Sequence, residues 1–253
     1  MAHTSGIMKD THRYLIHIQY LGFRYHGWQK QPGVKTVESM IEKTLSFVLE
    51  RNDFKILGAS RTDALVSAGH SVFMLFSPEH LEPDSFLNDL NINLPPDIRV
   101  TRVEKKDPAF NVINSPRMKE YLYLFSQGKR FHPFSVSLMH HSPDPLDIER
   151  MKKGALRFEG THNFVRYCTQ PGPKTRVERE VAYCRIEENH EVTASFFPEQ
   201  SWLLRIRSQG FMRNQIRLIM GQLLELGKGR IGLKDIEQSL TGKETRPLRQ
   251  IAP

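Results

Sequence analysis

Apolar residues recur along this chain at two periods, and the switches between them mark its elements. Residues 12–21 alternate in strand fashion, with Tyr14, Leu15, Ile16, Ile18 and Tyr20 β-prone and Gly22 closing the run. A polar-aromatic connector follows over 23–33. Val37, Met40, Ile41, Leu45, Val48 and Leu49 then share one helical face, with Thr36 as N-cap and Glu38 in the first turn. Residues 54–57 and 71–76 read as strands, 83–90 as a helix and 98–103 as a strand. The same kinds of element return further on: a strand at 121–125, a helix at 146–158, strands at 181–186 and 202–206, and a helix at 212–226.

That order predicts an α+β protein of two similar halves, each an antiparallel sheet with helices on one face. No residue-level repeat accompanies it, so the duplication is one of architecture. The connection at 108–116 is the natural cut, giving halves at 13–110 and 111–253 after a flexible tail at 1–12. A cleft between the halves is the expected ligand site.

Composition narrows the partners. The net charge is +8, which favours polyanions. Basic residues recur in separate clusters: Lys129-Arg130-Phe131-His132-Pro133-Phe134, Lys174-Thr175-Arg176-Val177-Glu178-Arg179 and Arg213-Asn214-Gln215-Ile216-Arg217. Several clusters, rather than one basic tail, suggest a groove along a folded nucleic acid. No apolar run approaches the length of a membrane span, and the first dozen residues have neither a signal-like apolar stretch nor transit-peptide character. Cys168 and Cys184 stand without a metal-ligand pattern; they are read as buried thiols of a reducing cytoplasm, with a disulfide as the alternative. No metal site is expected.

Gly227-Lys228-Gly229-Arg230-Ile231-Gly232 matches G-x-G-x-x-G, but follows a helix where a dinucleotide fold needs a strand, so Gly227 is read as a helix C-cap. Within 212–226, Ile216, Ile219, Met220 and Leu223 form the buried stripe, and Arg213 and Arg217 fall one turn apart near the helix start. Cations there oppose the helix dipole, so anionic partners are one reading and two solvated arginines the other. Tyr121 and Tyr123 share a strand face, as core packing or as an aromatic platform with a phenol. His140-His141 reads as solvent-exposed. The densest chemistry is Gly58-Ala59-Ser60-Arg61-Thr62-Asp63-Ala64: small residues turn the chain after a strand and present a cation, a hydroxyl and a carboxylate in one loop.

These residues resemble the TruA family of tRNA pseudouridine synthases over nearly the whole chain. The resemblance runs through Tyr25-His26-Gly27-Trp28-Gln29-Lys30-Gln31, the Gly58–Ala64 block, and Asn91-Ile92-Asn93-Leu94-Pro95-Pro96-Asp97-Ile98. It continues through Lys119-Glu120-Tyr121-Leu122-Tyr123 and Phe211 with Arg217 and Gly221. It implies a cofactor-free isomerisation of uridine to pseudouridine in the tRNA anticodon stem-loop, at positions 38–40, by a cytoplasmic homodimer. Carried over by residue, Asp63 is the catalytic aspartate and Arg61 helps displace the stacked base. Tyr121 stacks on the uracil and serves in C5 proton removal, and Arg217 pairs with Asp63. Asp63 acts at C1′ as nucleophile or as base. Lys30, Arg130, Lys174, Arg176, Arg179 and Arg213 are the expected RNA contacts.

Three departures from the family pattern stand out. The family has glycine and then Val-His after R-T-D-A, where this chain has Leu65, Val66 and Ser67; if the backbone there needs positive φ, Leu65 costs energy. The family's D-F-H-A-R segment is Ala109-Phe110-Asn111-Val112-Ile113. The sequence reaches Pro253 where the family runs through a Gly-Leu element into a last strand, so that strand is expected to be missing, or its edge to be covered by another segment. The competing functional reading is a non-catalytic RNA-binding or RNA-chaperone protein on the same scaffold.

Overall fold

The structure, a computed structural model, describes residues 11–114, 118–128 and 131–253. The chain divides into two compact units, Met1–Pro116 and Arg117–Pro253. The division falls after residue 116 rather than 110. Val112 is buried with Leu15 and Met74, and Phe110 packs beside them, so this segment joins the first unit. Residues 1–10 of the expected tail lie outside the described residues, and His12 already belongs to the first strand.

The first unit is β1 (His12–Tyr20), α1 (Val37–Val48), β2 (Lys55–Gly58), β3 (Ala68–Ser77), α2 (Pro83–Asn93) and β4 (Ile98–Lys106). Its sheet has the order β2-β3-β1-β4 and is antiparallel throughout. Alternation in β1 sends Tyr14, Ile16, Ile18 and Tyr20 to the face covered by Val37, Ile41 and Leu45 of α1 and Phe86 and Leu90 of α2. Thr36 caps α1 in a reciprocal box with Ser39: the Ser39 amide donates to Thr36 Oγ1 at 3.2 Å, and the Thr36 amide to Ser39 Oγ at 3.1 Å.

The second unit is β5 (Lys119–Gln127), β6 (Met139–Ser142), α3 (Ile148–Leu156), β7 (Gly160–Asn163), β8 (Glu178–Val181), β9 (Tyr183–Glu188), β10 (Trp202–Ser208), α4 (Gln215–Gly227) and α5 (Leu233–Ser239). The sheet order is β6-β5-β10-β9, with β7 and β8 as a separate pair. It is not purely antiparallel, because β6 pairs parallel with β5 from Leu124 to Gln127. That strand carries His140 and His141, which are half-buried rather than exposed; His141 Nε2 meets the Gly128 carbonyl at 2.7 Å.

Two helices of this unit, α3 and α4, are shorter than their periodicity predicts. Asp147 caps α3, its side chain accepting from the Arg150 amide at 2.9 Å, so Leu146 stays outside. Asn214 has φ 58°, which delays α4 to Gln215. Every residue from Leu218 to Leu224 is buried, so α4 is a core helix with no solvent face along that stretch, while Ile216 at its start is half-buried. The helix continues through Gly227 to a Lys228 cap, and the left-handed position is Gly229, at φ 72°. The G-x-G-x-x-G run therefore links α4 to α5, and Gly227 is not the cap. Both cysteines are free and buried. Among the described residues no helix is long and apolar enough to cross a membrane, and no group of three or more His, Cys, Asp or Glu is arranged to hold a metal.

Candidate active site

In the first unit β2 and β3 form a hairpin whose connection, residues 59–67, carries Arg61, Thr62 and Asp63. A loop of this length needs fixing points, and residues 20–28 supply them. The Trp28 amide donates to the Thr62 carbonyl at 3.1 Å, and the Leu65 amide to the Tyr25 carbonyl at 3.1 Å. The Gly22 amide donates to Ser67 Oγ at 2.9 Å, and Tyr20 Oη lies 2.9 Å from Thr62 Oγ1. Two glycines permit the approach. A β-carbon at Gly22 would sit 2.0 Å from the Val66 carbonyl oxygen. One at Gly27, where φ is 89°, would sit 2.7 Å from the Thr62 oxygen.

The holding segment is itself anchored. Trp28 is buried, and the Tyr25 hydroxyl donates to Asp97 Oδ1 at 2.7 Å while Arg24 pairs with Asp97 Oδ2 at 2.7 Å. Burial and the Asp97 hydrogen bond push the Tyr25 phenol well above its ordinary range. Asp97, at the end of the Asn91–Ile98 motif, thus anchors the segment that holds the loop. On it Arg61 is exposed and Asp63 half-buried. Leu65 has φ 68°, a conformation that costs a residue with a β-carbon about 1–2 kcal/mol.

In the second unit Tyr121 is half-buried on β5, its ring edge-on to Phe211 at 5.2 Å between centroids. The Tyr123 hydroxyl donates to the Pro253 carbonyl at 3.2 Å, and burial raises that phenol. Arg217 sits in the first turn of α4, where its Nε donates to the Ala252 carbonyl at 2.7 Å and its own carbonyl accepts from the Ala252 amide at 3.0 Å. Gly221 lets this terminal strand of backbone lie close, since a β-carbon there would be 2.0 Å from the Gln250 oxygen.

The model of the family described as tRNA pseudouridine synthase matches residues 16–113 and 155–253. The chain belongs to the tRNA pseudouridine synthase family. Among similar proteins, tRNA pseudouridine synthase A of Limosilactobacillus fermentum is 31% identical over 247 residues, 96% of this chain and 92% of that protein. The protein of the same name from Listeria monocytogenes serotype 4b is 30% identical over 236 residues, 93% and 92% respectively. That from Lactobacillus delbrueckii subsp. bulgaricus is 29% identical over 246 residues, 96% and 90%.

For a family whose members are named for tRNA, the placement of the basic residues matters. Arg213 precedes the left-handed Asn214 and is not on the helix, so it does not share a helical face with Arg217. It is exposed, with Nη1 on Gln170 Oε1 at 3.2 Å. Arg179 lies near it: the Cys168 thiol, pushed up by burial, feels both cations in the opposite direction. Arg179 Nε also donates to the Arg176 carbonyl at 3.1 Å, and Lys174 is exposed in the same segment. Arg179 and Arg213 thus both lie near Cys168 in the second unit, with Arg176 and Lys174 close to Arg179 in the chain. Lys30 does not join them; its ammonium is 2.5 Å from Glu42 Oε2 on α1. Arg130 lies outside the described residues. The fastening role of Tyr20 and Gly22 escaped sequence reasoning, since each is an ordinary residue until the loop is laid against it, and Ser67 stands out in the sequence only as a departure from the family pattern.

Proposed function

We propose that this protein isomerises uridine to pseudouridine in the anticodon stem-loop of tRNA, at positions 38–40, without a cofactor and as a cytoplasmic homodimer. The carrying observation is the fastened Arg61–Thr62–Asp63 loop in a chain that the family model matches in both units. A carboxylate on an immobilised loop suits chemistry at a single carbon, because the cost of orienting it is met in folding.

The reaction breaks the N1–C1′ bond, turns the uracil and joins C5 to C1′, after which the C5 proton leaves and N1 takes one up, so that atoms balance with no added reagent. Asp63 acts at C1′. Arg61, exposed two residues away, helps displace the base from its stack, a step that costs a few kcal/mol. Tyr121 stacks on the uracil and assists loss of the C5 proton, and Arg217 supplies positive charge for the aspartate. Lys174, Arg176, Arg179 and Arg213 offer the phosphate contacts that position an RNA without reading its sequence.

Tritium release from C5-labelled uridine in tRNA tests the reading. Wild type is expected to release label and Asp63→Ala to release none, with tRNA affinity retained. Tight binding by wild type with no release from any tRNA would leave the protein a non-catalytic RNA binder.

A further inference from the structure

Leu65 is the described residue of the catalytic loop that is both strained and bare. Its φ of 68° is imposed by hydrogen bonds on either side, from its own amide to the Tyr25 carbonyl and from the Val66 amide to the Asp63 carbonyl at 3.3 Å. A glycine or asparagine would sit there with little strain. Burial does not repay the strain, because the residue remains 55% exposed. Strain that the fold does not need points toward function. Ala64 and Arg61 are exposed on the same loop, and the turn against which the loop packs carries two further exposed apolar side chains, Leu21 and Phe23.

An apolar side chain raised beside a cation and a carboxylate is poorly suited to water and well suited to the flat face of a nucleobase. Proteins that unstack nucleic acids use leucine and similar residues as such wedges. We propose that Leu65 is a substrate-contacting wedge, packing against the base next to the target uridine and holding open the step from which that uridine has left. This rests on the isomerase reading, with Arg61 and Leu65 dividing the work: the cation meets phosphate or a base edge, and the leucine covers the exposed stack.

The test compares Leu65→Gly, which relieves the strain and should fold at least as readily, with Leu65→Met, which keeps an apolar wedge. On an anticodon stem-loop with a paired target, single-turnover pseudouridine formation by Leu65→Gly should fall about tenfold or more, and Leu65→Met should restore most of the loss. On a stem-loop in which a mismatch already loosens the target, the same defect should shrink to within about twofold, because the unstacking cost is then largely prepaid. A readout that needs no turnover is 2-aminopurine beside the target, in the Asp63→Ala background. Its fluorescence should rise on binding, and Leu65→Gly should remove most of that rise. Wild-type rate and fluorescence in Leu65→Gly would overturn the wedge, as would a defect equally large on the mismatched stem. Activity surviving in Asp63→Ala would instead overturn the reading beneath it.

Discussion

Gly22→Ala should act on the reaction from outside the reactive loop. The new β-carbon would lie 2.0 Å from the Val66 carbonyl oxygen, 2.3 Å from its carbon and 2.9 Å from the Ser67 nitrogen. Because side-chain carbons do not stand closer than about 3 Å to such atoms, one backbone must retreat by roughly 1 Å. The opposed atoms are main chain on both sides, so no rotamer change relieves the clash. Val66 is tied to Asp63 by the bond from its amide to the Asp63 carbonyl, and the Gly22 amide holds Ser67 Oγ. Retreat of the loop therefore carries the aspartate with it.

Overpacking of this kind costs about 1–3 kcal/mol, a fall in Tm of about 4–12 °C for a unit of this size. A displacement near 1 Å at a reacting group costs roughly a hundredfold in rate. Steady-state tritium release should therefore show kcat down about a hundredfold with KM changed by less than about threefold, since most of the proposed phosphate contacts belong to the second unit. Gly33→Ala is the matched control. Its φ is 75° but a β-carbon meets nothing within 4 Å, so it should cost about 1 kcal/mol of stability and leave kcat intact. Wild-type kcat in a folded Gly22→Ala protein would refute the claim that the turn positions the loop.

Three further outcomes follow from the charges. Arg205, its side chain only 9% exposed, meets Glu120 at 3.0 Å, Glu187 at 3.2 Å and Glu191, so Arg205→Met should lose about 2–4 kcal/mol in urea unfolding, short of a fully buried pair because Glu120 is about a third exposed. Arg213 has a neutral hydrogen-bond partner in Gln170, so Arg213→Gln should reduce the slope of log K against log salt for tRNA binding by about one, whereas Lys30→Gln, losing a charge already matched by Glu42, should change it far less. Burial holds His140 below the ordinary histidine range, helped by His141 and Lys228; burial also lowers His17, against the opposing pull of Glu104. The unfolded chain then takes up these protons first, so both contribute stability that is present above about pH 6.5 and lost as pH falls toward the folded values. Tm should decline from pH 7 to pH 5, less steeply in His140→Gln.

The first unit was the more legible half because its elements obey one period at a time. Tyr14, Ile16, Ile18 and Tyr20 alternate cleanly, and α1 is announced by both Thr36 and its apolar stripe. The second unit defeats the same reasoning where tertiary packing replaces pattern. Met139–Ser142 has no alternation to read and becomes a strand only because β5 offers it a free edge. Met212 and Arg213 continue the helical period of α4 in sequence, yet the left-handed Asn214 severs them, and the Met212 amide turns back to Gln215 Oε1 at 2.8 Å. Periodicity reports which side chains want burial; it does not report where a backbone leaves the helical region.

The same limit divides the candidate site. Residue types with obvious chemistry, Arg61 and Asp63 above all, can be picked out because their reactivity is local. What fixes them cannot, because Gly22 and Tyr20 have no distinctive chemistry and act only by standing opposite the loop, at Ser67 and Thr62. Leu65 falls between these cases. The departure from glycine is visible in the sequence, but its meaning depends on two facts that only coordinates supply, the sign of φ and the exposure of the side chain. Had the backbone been extended, the leucine would be an unremarkable substitution. Had it been buried, the strain would be repaid by packing worth about 1.5–3 kcal/mol. Positive φ together with exposure leaves a cost of 1–2 kcal/mol that the folded protein alone does not recover. A bound RNA base is the partner of the right shape and polarity to recover it.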